Sequence, residues 1–225
     1  MRWTRLLKAN LLNENSLGEP ISDNEQTLQN FWNWFDGSKI VKNGKPLVCY
    51  HYTDNIFDTF DKSTIGKSSG DKGYFGTGFY FTGREGFGTS FGKNKMDLYL
   101  NIKNPMNFGQ FNKHAKDAYN VYDFLYYLDS NKEIESYAIY YGQSDYYEKE
   151  WDIKPEDITF NKIHQGILQD FSKAITDYAK MWKFDGIISD NNMAEIVAFE
   201  SNQIKSIKNN SSYSDSDNSI YGSTL

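Results

Sequence analysis

Among the apolar and polar positions of the chain, Leu47-Val48-Cys49-Tyr50-His51-Tyr52-Thr53 forms a short apolar run that ends in a polar tip. Val, Leu and Tyr favour an extended chain, and Pro46 is tolerated as a strand's first residue. Upstream, Asn43-Gly44 separates this run from Ser38-Lys39-Ile40-Val41. Asn-Gly accepts positive φ at both turn positions, so the two runs are predicted to form a hairpin. Alternation puts Cys49 and His51 on one face and Tyr50 and Tyr52 on the other. The strand thus presents one imidazole on one surface.

The remaining elements follow from the same patterning. Residues 1–22 carry no clear period, and Gly18-Glu19-Pro20 breaks structure, so this stretch reads as an arm or a small first helix. Ser22 and Glu25 have capping-box spacing, and Leu28, Phe31, Trp32 and Phe35 recur at helical intervals. A helix is predicted over 23–35, stopped by Asp36-Gly37. Phe57 and Phe60 are expected to fasten a short turn to the sheet. Residues 62–75 are rich in Gly, Ser and Lys and read as a loop, followed by a strand over 76–82. Residues 83–92 form a connection holding Thr89, Ser90 and Phe91, with room for one helical turn. A strand over 96–102 closes at Asn104-Pro105. A helix is predicted over 113–128, the tyrosine-rich stretch 134–147 is ambiguous, and Ile163, Ile167, Phe171, Ile175, Tyr178 and Trp182 mark an amphipathic helix. Strands follow over 184–189, 195–199 and 203–207. From Asn209 the chain is Ser, Asn and Asp with few apolar anchors, which predicts a disordered tail over 209–225. Strands and helices mix without regular βαβ alternation. The expected fold is therefore α+β with a split, largely antiparallel sheet, in one domain over 23–208.

Composition narrows the class. The 225 residues suffice for one domain with a substantial core, and aromatics at 17% supply much of its burial. No apolar run approaches the roughly 18–20 residues of a membrane span, and the basic start lacks the apolar core of a signal peptide. One cysteine allows no internal disulfide, so the chain reads as cytoplasmic. A net charge of −6, from 24 basic and 30 acidic side chains, argues against a wide nonspecific grip on nucleic acid. His51, His114 and His164 are too dispersed for a metal motif. A Cys49–His51 dyad fits one strand face but lacks an orienting third group. Gly73, Gly76 and Gly78 precede a strand rather than follow one, which excludes a dinucleotide fingerprint, and no phosphate-binding loop is present.

Three residues remain: His51 near a strand end, Tyr80 in a strand preceded by glycines, and Glu195 at the head of an apolar strand. With their flanks, Tyr50-His51-Tyr52-Thr53, Gly78-Phe79-Tyr80-Phe81-Thr82 and Ala194-Glu195-Ile196-Val197-Ala198-Phe199 resemble, in order, the His-Tyr-Glu motifs of diphtheria-toxin and poly(ADP-ribose) polymerase-like ADP-ribosyltransferases. Phe35-Asp36-Gly37-Ser38-Lys39-Ile40-Val41, Asn43-Gly44-Lys45-Pro46-Leu47-Val48, Phe184-Asp185-Gly186-Ile187-Ile188 and Gln203-Ile204-Lys205-Ser206 look like ADP-ribosyltransferase domains of phage and mobile-element polyvalent proteins. The likeness spans roughly 31–207.

The resemblance implies NAD as co-substrate, with no metal. It implies catalytic roles for Glu195, His51 and Tyr80. It also implies donor contacts from His51, Tyr52, Thr53, Tyr80 and Phe91, with Thr89 or Ser90 supplying a hydroxyl to the carboxamide. The chemistry suits these residue types. Breaking the bond between nicotinamide and ribose builds positive charge on the ribose carbon, as in glycoside cleavage. A carboxylate at the ribose 2′-hydroxyl stabilises that charge, and a ring can hold nicotinamide by stacking. The family usually has Gly directly after the His, where this chain has Tyr52; alternation is expected to turn Tyr52 away from the imidazole. Lys62, Lys67 and Lys72 are near enough in sequence to meet the pyrophosphate, though solvated lysines are the simpler reading.

The acceptor is open: a protein, a nucleic acid or water. Rings over 137–151 could stack unpaired bases, but Asp145, Glu148 and Glu150 would repel phosphates, so packing is favoured. The expected function is mono-ADP-ribosyl transfer to a macromolecule by a toxin, phage-defence or phage-borne effector, with an antitoxin or inhibitor protein as a candidate partner. The alternatives are an NAD glycohydrolase and a catalytically idle NAD- or ADP-ribose-binding module.

Overall fold

Helix α1 (Glu25–Phe35) forms where the ring spacing predicts it, but its start differs. Asn24 is the N-cap, its side chain accepting from the Thr27 backbone N–H, while the Ser22 hydroxyl accepts from the Asn24 N–H. The cap moved because Asn24 lies three residues before a free helical donor, and Asn caps as well as Ser. Gly37, at φ +82°, ends the helix in the left-handed region that the Asp36-Gly37 stop requires. The buried face of α1 is aromatic: Phe31 packs on Phe35 at 5.1 Å, Tyr99 at 5.0 Å and Tyr213 at 5.1 Å between ring centroids. The coordinates are a computed structural model that describes residues 12–67, 73, 75–107, 172–209 and 213–222.

The predicted turn at Asn43-Gly44 forms, with φ of 53° and 77°, between β1 (Val41–Lys42) and β2 (Lys45–Pro46). The hairpin is shorter than expected. The chain leaves β2 and enters β3 (Cys49–Thr53) in a different sheet. There β3 pairs antiparallel with β5 (Asn94–Leu100), which pairs antiparallel with β9 (Ile204–Ser206). A second sheet has the order β4 (Phe79–Phe81), β8 (Ile196–Ala198), β7 (Gly186–Ile188), β6 (Pro105–Asn107). Its β6–β7 pair is parallel; the rest is antiparallel. Pro105, expected to end a strand, instead opens edge strand β6, where a missing N–H costs no ladder bond. Helix α2 (Ser172–Met181) buries Ile175 and Ala179, and its Thr176 hydroxyl donates to the Thr77 carbonyl at 2.9 Å, bracing the entry to β4. The helix expected over 113–128, the tyrosine-rich stretch and the first half of the helix over 163–182 lie outside the described residues.

The described residues form an α+β fold with a split, mostly antiparallel sheet. Its two faces bury separate clusters. Cys49, Leu98, Leu100, Phe79, Phe81 and Ile196 belong to one, and Val48, Tyr50, Tyr99 and the α1 rings to the other. The faces of β3 therefore follow the alternation read from sequence.

The C-terminal segment departs from the expected disordered tail. Tyr213 is 5% exposed, within the α1 ring cluster, and Ile220 is fully buried. Lys205, in the strand predicted over 203–207, is also fully buried, and its ammonium donates to the carbonyls of Asp217 at 2.6 Å and Ser219 at 2.7 Å. Two apolar side chains spaced seven apart, and a lysine in a neighbouring strand, suffice to dock a segment that composition alone reads as free. The N-terminal stretch from residue 12 is ordered by Asn15, whose side chain accepts from the Leu17 and Glu19 N–H groups and donates to the Tyr99 hydroxyl.

Candidate active site

The two sheets meet at one point. Tyr50 and Thr82 exchange backbone hydrogen bonds of 2.8 and 3.0 Å, and beyond them β3 and β4 diverge. Just past the end of β4, Thr82 faces β3, so by strand alternation the Tyr80 carbonyl also points across the gap with no strand to receive it. The His51 imidazole takes that place: its Nδ1 lies 2.8 Å from the Tyr80 oxygen. A carbonyl only accepts, so Nδ1 carries the proton, and the neutral ring leaves Nε2 as an acceptor. Burial lowers the His51 pKa below the ordinary 6.5, which favours that neutral form. Phe60, Phe81 and Phe57 surround the ring at centroid distances of 5.1, 5.6 and 6.2 Å.

The divergence opens a cavity of about 990 Å³, at the upper end of the volumes typical of small-molecule sites. His51, Tyr80 and Glu195 all line it. Tyr80 is rigidly placed. Its hydroxyl donates to the Gly76 carbonyl at 2.6 Å and accepts from the Phe75 N–H at 2.9 Å. A Cβ on Gly73 would fall 2.5 Å from that hydroxyl, so only glycine lets the turn close over it. Glu195 immediately precedes β8. Its N–H donates to the Ser189 hydroxyl at 3.0 Å, and its carbonyl accepts from the Ser189 N–H at 2.9 Å. In the β4–β8 register Phe79 and Phe81 pair with Ala198 and Ile196 on the core side, and Tyr80 pairs with Val197. Alternation places Glu195 on the side of Val197, hence of Tyr80.

Tyr52 and Thr53 also line the cavity, as do Ser90 and Phe91, whereas Thr89 does not. The Tyr52 hydroxyl accepts from the Gly86 N–H at 2.7 Å, so this side chain holds the loop that ends in the 3₁₀ turn Thr89–Phe91. Gly92 presses that loop onto β3: a Cβ there would lie 2.1 Å from the Thr53 carbonyl carbon. Phe91 is 59% exposed at the cavity edge. Asp54, which had no motif to mark it, lines the same space and accepts from the Lys93 N–H. Lys62 does not face the cavity, since it forms an ion pair with Glu200. Lys67 is exposed, and Lys72 lies outside the described residues. The Cys49 thiol is buried in the core, and desolvation pushes its pKa up, which removes the dyad reading. Among the described residues no group of three or more His, Cys, Asp or Glu is arranged to hold a metal ion, and no helix is long and apolar enough to cross a membrane.

A split, mostly antiparallel sheet that brings a histidine, a tyrosine and a glutamate to one cavity is the arrangement that the resemblance to ADP-ribosyltransferases implies. Residues 42–214, well over half the chain, match the family model described as ADP-ribosyltransferase in polyvalent proteins, and the chain belongs to that family. Searches of curated proteins and of solved structures gave no match.

Proposed function

We propose that this protein is a mono-ADP-ribosyltransferase that cleaves NAD in the cleft between β3 and β4 and passes ADP-ribose to a macromolecule. The observation that carries the reading is the convergence of His51, Tyr80 and Glu195, distant in sequence, on one cavity. Tyr80, pegged by two hydrogen bonds, offers a fixed ring for nicotinamide to stack on. The free Nε2 of His51 accepts a hydrogen bond from a ribose hydroxyl. The Glu195 carboxylate engages the 2′-hydroxyl of the nicotinamide ribose and stabilises the positive charge that develops as the glycosidic bond breaks. Nicotinamide leaves as a neutral base, so the leaving group needs no acid. Thr53 and Ser90 supply hydroxyls to the donor, and Phe91 a second ring at the edge.

The acceptor is a protein or a nucleic acid, and the role that of a toxin, a phage-defence factor or a phage-borne effector held in check by an inhibitor protein. Family membership supports the transferase part of this reading. Incubation with NAD labelled in its adenosine half, in a cell lysate divided between protease and nuclease treatments, tests it. Label lost with one treatment names the acceptor. Nicotinamide release with no labelled macromolecule makes water the acceptor, and NAD binding without release of nicotinamide leaves only a binding module.

A further inference from the structure

We propose that residues 213–222 act as a strap that sets the wall of the NAD cleft formed by residues 57–60, with Lys205 as its anchoring residue. The inference rests on the proposed activity of this cleft.

The wall is a loop with little structure of its own, yet it carries the rings that hold His51. Phe57 and Phe60 contact each other at 4.9 Å and the imidazole at 6.2 and 5.1 Å. The backbone of this wall is held from outside. The Ile220 N–H donates to the Asp58 carbonyl at 2.8 Å, and Thr59 forms an antiparallel bridge with Ser219. The strap is in turn fixed to β9: the Ser206 N–H donates to the Ile220 carbonyl at 2.8 Å, and Lys205 holds the carbonyls of Asp217 and Ser219. Asn209 adds a bond to the Ile220 carbonyl at 3.0 Å. Ile220 thus joins β9 on one side to the cleft wall on the other.

A buried ammonium that gives its protons to backbone carbonyls, with the Asp217 and Asp215 carboxylates only partly offsetting its desolvation, is costly unless the position of those carbonyls matters. Those carbonyls belong to the two residues that flank Asn218 and lead directly into the contact with Thr59. The opposite side of the cleft, with Tyr80 and Glu195, is held by β4 and β8 and does not use the strap. Loosening the strap should therefore weaken donor binding and spare the chemical step.

The test uses the full chain with Lys205→Met, which keeps length and apolar bulk but removes the donors, and Ile220→Pro, which removes the N–H to Asp58. Ile220→Val, which keeps that N–H, is the control. Nicotinamide release is followed against NAD concentration, NAD affinity by calorimetry, and backbone amide exchange by mass spectrometry. The expected result for the two loosening variants is a KM for NAD raised about fivefold with kcat within about twofold, the size of one lost backbone hydrogen bond, while the Val control stays at the wild-type value. Exchange should quicken over 54–66 and not along β5. An unchanged KM, a fall in kcat alone, or exchange that quickens equally through β5 would overturn the inference and leave the segment a part of the core only. If the intact chain releases no nicotinamide, the proposed activity fails. The calorimetric NAD affinities of the same variants then still decide the strap.

Discussion

Replacing Tyr80 by Phe removes one oxygen and keeps the ring, so it separates the peg from the stacking surface. The hydroxyl makes two hydrogen bonds to the turn at 75–76, at 2.6 and 2.9 Å, from a half-buried position. Each bond of this kind contributes about 0.5–1.5 kcal/mol net, so the variant should lose about 2 kcal/mol. For a chain of this size that lowers Tm by about 4–8 °C. The ring remains, so NAD affinity should fall only severalfold, through the freed turn. Tyr80→Ala removes the ring as well. If nicotinamide stacks as a base does, at about 1–3 kcal/mol, donor affinity should fall between about fivefold and a hundredfold. Thermal melting and titration with NAD read the two effects separately. An unchanged Tm in the Phe variant would show that the hydroxyl pegs nothing. An Ala variant that binds NAD normally would make Tyr80 a packing residue and refute its role in the donor site.

Two further perturbations address the frame of the cleft. Burial depresses the His51 pKa, so the folded state favours the neutral ring; its contribution to stability is full above pH 6.5 and is lost as pH falls through the lowered folded value. His51→Asn should therefore show a shallower loss of Tm on acidification below pH 6.5 than the wild type, and NAD cleavage by the wild type should fall over the same range; parallel pH profiles would contradict both the tautomer and the burial argument. Gly78→Ala would place a Cβ 2.4 Å from Val197 Cγ1 and 2.7 Å from the Ala198 carbonyl oxygen. It should destabilise by about 1–3 kcal/mol and reduce NAD cleavage together, because Tyr80 and Glu195 keep their spacing only through the β4–β8 pairing; full activity would show that this spacing is not needed.

What the sequence made legible was local. Asn43-Gly44 specifies its turn through backbone conformations that few residues tolerate, and the ring spacing of α1 and the alternation of β3 each depend on neighbours a few positions away. The order of His51, Tyr80 and Glu195 could be read because their flanks carry the resemblance, and the structure brings them to one cavity. What stayed hidden depends on partners far along the chain. Nothing near Lys205 in the sequence shows that the carbonyls of Asp217 and Ser219 stand over its ammonium. Lys62 looks free to reach a phosphate until Glu200 claims it. Tyr52 was expected only to turn away from the imidazole, and nothing local shows that its hydroxyl holds the loop at Gly86. Tyr213 and Ile220 are sparse in a polar stretch, and two anchors carry too little periodicity to announce docking. The Asn24 cap was missed for a smaller reason, since Ser22, Asp23 and Asn24 can all cap and the helix chose the last.

The central claim is that the carboxylate beside β8 stabilises charge in the breaking glycosidic bond. Glu195→Gln keeps shape and hydrogen-bonding reach while removing the charge. The account predicts that nicotinamide release from NAD falls by about two orders of magnitude or more, as when preorganised charge stabilisation is lost, with melting temperature and NAD affinity near those of the wild type. Cleavage within a few-fold of wild type in a properly folded Gln variant would contradict it.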